Sequence, residues 1–135
     1  MIDTLIFDFG DVFINLDKAG AQKNALSLFK LKAFKTDMLQ TNLDYEVGSI
    51  STLEFISFYK SKFPFLSEKQ IIEAWNYILK DFPEYRLEFI KKLAKDNKYK
   101  LILLSNTNTM HIDYIKEHVS FFEEFKAYFD RFYLS

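Results

Sequence analysis

An α/β fold, with a partial Rossmann-like parallel sheet core and an inserted helical cap, follows from three observations on this chain. Two continuous apolar stretches, Leu5-Ile6-Phe7 and Leu101-Ile102-Leu103-Leu104, each stop abruptly on polar residues, as strands buried on both faces do. The long segment between them carries helical spacing and helix start signals rather than alternation. Only 3 Gly and 2 Pro occur in 135 residues, which leaves little irregular chain. The resulting order is strand, helical insert, helix, strand, helix, strand, which is βαβ logic and a parallel sheet.

Residues 2–8 read as the first strand, ending on Asp8. Val12, Ile14 and Leu16 alternate with Phe13, Asn15 and Asp17, which predicts a short extended or hairpin-like excursion. Asp17 is placed to cap a helix over 18–31 whose apolar face is Ala19, Leu26, Leu28 and Phe29. A second helix over 35–46 offers Met38, Leu39, Leu43 and Val47, and Gly48 ends it. Ser51-Thr52-Leu53-Glu54 has the form of a capping box, followed by Phe55, Ile56 and Tyr59, and Pro64 closes that helix. Ser67-Glu68-Lys69-Gln70 is a second capping box, with Leu66 and Ile71 placed as a hydrophobic staple. Its stripe of Ile71, Ile72, Trp75, Ile78 and Leu79 is expected to pack between helices.

Pro83 restarts the chain near a helix N-terminus, and the helix from Glu84 to Asp96 turns Leu87, Ile90, Leu93 and Ala94 inward. Asn97 is its C-cap, the second strand follows to Ser105-Asn106, and Thr107-Asn108-Thr109 opens the next helix. Residues 121–128 form a helix or compact turn, and Arg131-Phe132-Tyr133-Leu134 begins a third strand that is cut off at Ser135. On this reading the sheet core comprises residues 1–17 and 83–135, and the helical cap residues 18–82.

Composition excludes several classes. There is no cysteine, hence no disulfide framework and no zinc-thiolate site. Net charge is −1 without a basic block, against a nucleic-acid surface. No apolar run reaches the roughly 18–20 residues of a membrane span, and no signal-peptide pattern opens the chain. A cytoplasmic protein is expected.

Chemistry concentrates where the apolar runs stop. In open α/β sheets the ligand crevice lies beyond the carboxyl ends of the strands. If the first two strands are neighbours, Asp8 and Ser105-Asn106 share that crevice. An aspartate after an apolar run also serves as an ordinary turn or capping residue. Beside a hydroxyl and an amide, however, it suits an oxyanion substrate. Ser105 donates to a phosphoryl oxygen, backbone N–H groups around Asn106 and Gly10 cradle the others, and Asp8 attacks phosphorus. Gly10 is expected to let the loop after Asp8 bend back tightly. A carboxylate approaching a dianion calls for a cation between them, so Mg²⁺ is implied.

These stretches resemble a family. Asp8-Phe9-Gly10-Asp11-Val12 is similar to the first motif of the haloacid dehalogenase (HAD) superfamily, and Leu103-Leu104-Ser105-Asn106 to its second. Ile6 to Asp17, Leu104 to His111 and Phe132-Tyr133-Leu134-Ser135 resemble the glucose-1-phosphatase-like branch. The insert after the first motif resembles a type-1 cap, with Gly48-Ser49-Ile50-Ser51 where such caps carry a comparable turn. The resemblance implies Asp8 as nucleophile and metal ligand, the Gly10 carbonyl as a Mg²⁺ ligand, and Ser105 with Asn106 as phosphate-binding residues.

Two departures from the pattern shape the expectation. Most phosphatases of the superfamily place an aspartate, as general acid/base, two residues after the nucleophile. Gly10 stands there instead, as it does in the resembled branch, and Asp11 is one place too far on. The third-motif lysine and the fourth-motif acidic pair should follow the third strand, where this chain stops. Asp8 and one carbonyl do not by themselves fill an octahedral Mg²⁺ shell. The chain therefore reads as the N-terminal part of a longer Mg²⁺-dependent phosphatase of a small phosphorylated metabolite, a sugar phosphate among the candidates, with the chain as given catalytically weak or inert. Two competitors are a metal-independent haloacid dehalogenase, using the same Asp8 on carbon, and a non-catalytic binding module. The last predicts an exposed aromatic patch where the absent part of the sheet would pack. His111 recurs in the resembled branch, and a histidine on a helix after a phosphate loop could contact substrate, but the favoured reading is an ordinary helix-surface or capping histidine; His118 reads as structural.

Overall fold

The computed structural model describes residues 1–134, so the expected end of the third strand at Ser135 lies outside the described residues. Contacts divide the chain into two compact units: Met1–Leu16, Leu79–Thr107 and Ile112–Ser135 form one, and Asp17–Ile78 with Asn108–His111 form the other.

The first unit is built on a three-stranded parallel sheet in the order β1 (Thr4–Phe7), β2 (Lys100–Ser105), β3 (Arg131–Leu134). Phe7 lies opposite Leu103, and Ser105 opposite Leu134, so the carboxyl ends of the strands share one edge of the sheet. Parallel pairing needs crossover connections. α5 (Glu84–Asp96) precedes β2, and most of α6 (Thr109–His118) with α7 (Phe122–Ala127) precedes β3. α5 buries Leu87 and Ile90, and Asn97 closes it in the left-handed conformation. Pro83 is its N-cap rather than its first residue, with extended backbone that suits proline.

Leu101, Leu103 and Ser105 of β2 are buried. Behind them Phe125 is the hub of an aromatic cluster, 4.8 Å from Phe13, 4.9 Å from Phe82 and 5.1 Å from Phe129 between ring centroids. The other sheet face differs. By register Ile6, Leu104 and Tyr133 point the same way, and they are 64, 54 and 51% exposed.

The expected excursion after Asp8 is a turn flanked by isolated bridges, Gly10 to Ile14 and Leu16 to Leu79. The alternation seen in sequence does not survive, because Phe13 and Ile14 are both buried while Val12 is exposed. Arg86 ties this segment down, donating from Nη1 to the Phe13 carbonyl (3.1 Å) and to Asn15 Oδ1 (2.9 Å).

The second unit is helical: α1 (Lys18–Phe29), α2 (Thr36–Glu46), α3 (Thr52–Lys62) and α4 (Glu68–Asn76). Asp17 caps α1 by accepting from the Gly20 N–H, and both capping boxes form, Ser51 with Glu54 and Ser67 with Gln70. Gly48, at φ +79°, follows α2. Two apolar faces differ from expectation. On α1, Ala19 is exposed, and Phe29 with Ala25 and Leu28 packs inward. On α2, Met38 and Tyr45 are buried, an i to i+7 pair, while Leu39, Leu43 and Val47 are exposed. Those three lie roughly 100–180° further round the helix from Met38, where leucine is tolerated on a surface.

Candidate active site

Asp8 follows the last residue of β1 and is exposed. Its neighbours explain that position. Phe7 and Phe9, two residues apart, enter the same aromatic cluster, Phe7 5.7 Å from Phe13 and Phe9 5.8 Å from Phe125. Alternation therefore turns Asp8 away from the core. Its Oδ1 accepts from the Phe9 N–H at 2.7 Å, which fixes the carboxylate against its own backbone.

The loop that follows is gathered largely on the Phe9 carbonyl. Phe9 O accepts from the N–H groups of Val12 (3.3 Å), Phe13 (2.9 Å) and Ile14 (3.3 Å), and the Asp11 N–H donates to Ile14 O (2.7 Å). The left-handed residue here is Asp11, at φ +59°, not Gly10. Gly10 answers to space instead: a Cβ there would stand 2.8 Å from Leu16 Cδ1. Asp11 has a structural task, since its Oδ1 accepts from the Leu16 N–H at 3.0 Å. It therefore closes the loop, where the sequence had only its spacing to show.

Ser105 ends β2 at the same edge as Asp8. It is 7% exposed, yet its hydroxyl makes no hydrogen bond to another described residue. Asn106, next in the chain, is exposed. Asp8 and Ser105 thus stand at the carboxyl ends of neighbouring strands, Ser105 on the buried face of β2 and Asp8 exposed.

The fit to a divalent cation is a matter of donor chemistry. The Gly10 carbonyl accepts no hydrogen bond from any described residue, and Asp8 Oδ2 likewise has none. Two hard oxygen donors in one loop match the class of ligand Mg²⁺ takes, which is one or two carboxylates with the rest water and phosphate oxygen. Among the described residues no group of three His, Cys, Asp or Glu side chains is gathered for a metal. The fit is thus to part of a shell.

The histidines separate. His118 is exposed, with Nδ1 on the Tyr114 carbonyl at 2.8 Å. His111 belongs to the helical unit and is not a surface histidine. Its ring stacks on Trp75 at 5.3 Å and 9°, and its Nδ1 meets Asn76 Oδ1 at 2.8 Å. Burial pushes its pKa down to about 4. Asn108 joins it: Oδ1 accepts from the His111 N–H (3.0 Å) and from the Trp75 indole N–H (3.1 Å). Sequence reading passed over Asn108 as one polar residue among several. Its place just before a helix was the only signal available.

No helix among the described residues is long and apolar enough to cross a membrane. No protein-family model matches the chain. No curated protein matches it either. Solved structures do. A HAD family enzyme of Bacteroides thetaiotaomicron, in its magnesium complex, superposes with a TM-score of 0.83 at 35% identity, over 99% of this chain and 68% of that one. The wild-type form with magnesium and inorganic phosphate gives 0.82 at 33% identity, over 100% and 69%. A structure described as a predicted HAD-like family hydrolase, from Porphyromonas gingivalis, gives 0.75 at 24% over 98% and 66%, a likeness of fold. With identity of this order over nearly its whole length, and two thirds of the relative's, the chain belongs to the HAD superfamily of hydrolases.

Proposed function

We propose that this chain carries the nucleophile and phosphate-binding half of a Mg²⁺-dependent phosphatase acting on a small phosphorylated metabolite, a sugar phosphate among the candidates. The observation that carries the reading is that Asp8 and Ser105 stand at the carboxyl ends of neighbouring strands, the Ser105 hydroxyl buried and without a hydrogen bond to another described residue. It is supported by relatives solved with magnesium and inorganic phosphate.

In this mechanism an Asp8 carboxylate oxygen attacks phosphorus, the bond to the leaving oxygen breaks, and an acyl phosphate forms on Asp8. Water then attacks that phosphorus, which releases phosphate and regenerates the carboxylate. The Ser105 hydroxyl donates to a phosphoryl oxygen throughout, with the Asn106 amide beside it. Asp8 and the Gly10 carbonyl would hold Mg²⁺, which when bound offsets the repulsion between carboxylate and phosphoryl dianion. Gly10 offers no acid to the leaving oxygen, and Asp11 is engaged with Leu16, so the proton comes from water or substrate. Slow turnover of poor leaving groups follows.

The test is phosphate release from p-nitrophenyl phosphate with Mg²⁺. Loss of release in Asp8→Asn, and on chelation, is expected. Release that survives Asp8→Asn overturns the nucleophile assignment, and haloacid hydrolysis persisting with chelator present would move the chain to the dehalogenases. A second reading, a non-catalytic binding module, is favoured by the exposed Ile6, Leu104 and Tyr133 on one sheet face. Absence of any turnover by the protein as its source makes it would select that reading.

A further inference from the structure

The helical unit contains a cavity of about 160 Å³ that the phosphatase reading does not use. Its walls include Phe29, Phe34, Phe55, Tyr59, Trp75 and His111, all within that unit. The exposed side chains Gln22 and Glu46 are also on its lining, so it communicates with solvent. A cavity of about 150 Å³ with apolar walls accepts benzene in an engineered lysozyme, so a single aromatic ring is a fitting occupant by size.

The polar groups of two aromatic walls are already engaged. The Tyr59 hydroxyl donates to Asn42 Oδ1, and the Trp75 indole N–H donates to Asn108 Oδ1. These two rings therefore present mainly faces and edges. His111 differs. With Asn76 Oδ1 accepting from its Nδ1–H, the Nε2 lone pair is left, and no described residue donates to it. Burial keeps the ring neutral near pH 7, so Nε2 remains an acceptor there.

We propose that the cavity is a binding site for a small neutral aromatic compound bearing one hydrogen-bond donor, a phenol-class molecule whose hydroxyl donates to His111 Nε2 while its ring packs among the aromatic walls. The carboxylate of Glu46 on the lining disfavours anions. The ligand is thus distinct in charge from a phosphorylated substrate, and the site is read by binding alone, so it stands or falls apart from Asp8 chemistry.

Trp75 is the single tryptophan of the chain and lies on the cavity wall, so its fluorescence reports occupancy directly. Phenol, anisole and glucose are titrated into the full chain. Phenol is expected to give a saturable change. Anisole, the same ring without a donor, is expected to bind about fivefold more weakly or worse, the value of one ordinary hydrogen bond. Glucose is expected to leave the signal unmoved. Equal affinity for phenol and anisole overturns the role of Nε2, no saturable phenol response overturns the site, and preferential glucose binding overturns the ligand class. His111→Phe keeps a ring on Trp75 and should abolish the preference for phenol over anisole. The comparison of the two ligands on the unchanged chain remains decisive if that variant does not fold.

Discussion

Asn108→Ala should unfold the helical unit far more easily than an ordinary polar-to-alanine change. Asn108 is buried, and one atom, Oδ1, serves two donors: the His111 N–H in the first turn of α6 at 3.0 Å and the Trp75 indole at 3.1 Å. Loss of the first is loss of an N-cap interaction, about 1 kcal/mol. Loss of the second leaves an indole N–H without its partner in a packed site, about 1–3 kcal/mol. Together the change is roughly 2–4 kcal/mol, and at a urea m-value of about 2 kcal/mol/M the midpoint falls by roughly 1–2 M. Urea unfolding followed by Trp75 fluorescence measures it in the unit concerned. Asn108→Asp retains both acceptor contacts and adds negative charge at a helix N-terminus, so it should stay within about 0.5 kcal/mol of the parent. An alanine variant that unfolds with the parent, or an aspartate variant as unstable as the alanine one, would refute the double-acceptor account.

Three further outcomes are expected. Ser105→Ala should lower kcat/KM for phosphate release by roughly 10- to 100-fold, the loss of a hydrogen bond to a charged group, while moving the unfolding midpoint little, because its hydroxyl has no hydrogen-bond partner among the described residues. Gly10→Ala should destabilise by only about 0.5–1.5 kcal/mol, the cost of moving the end of the Leu16 side chain off its rotamer, and calorimetry on the pair with Leu16→Ala should find that cost relieved. For His111 the folded pKa of about 4 lies below the ordinary 6.5, so its contribution is fully present above pH 6.5 and is lost as pH falls toward 4. Stability curves should slope down by a few kcal/mol at most across that window, and His111→Phe should flatten the slope.

What could be read from sequence was what is local. The two capping boxes depend on a Ser and a Glu or Gln three residues apart, and both form as read. Two apolar runs that stop on Asp8 and Ser105 announced parallel strands, and the pairing is parallel, but burial on both faces does not hold among the described residues, where Ile6, Leu104 and Tyr133 leave one face exposed. The face of α2 was another matter. Leu39, Leu43 and Val47 made as good a helical stripe as Met38 and Tyr45, and the choice between them belongs to the helices packed alongside. The environment of His111 was equally hidden. Nothing beside it in the chain indicates Trp75 or Asn76, some 35 residues earlier, and so a surface histidine was the natural reading. At the loop after Asp8, glycine attracted the turn assignment, yet the left-handed backbone fell on Asp11, whose side chain bonds to Leu16 and so supports its own strained position.

The bridge between Leu16 and Leu79 has a consequence for the rate at which the sheet assembles. Thr4 must find Lys100, a partner about 95 residues away, which is a slow search for an unstructured chain. The helical stretch between them draws on contacts of much shorter range, and its ends meet: the Asp17 N–H donates to Ile78 O at 2.9 Å, and Leu16 bridges Leu79. Once those ends are joined, only about a third of the loop remains to be closed, which lowers the entropic cost by roughly 1 kcal/mol, or about fivefold in rate. The insert then acts during folding as a clasp that shortens the path between β1 and β2. Changes that loosen its ends should slow refolding of the sheet even where they leave every strand residue untouched.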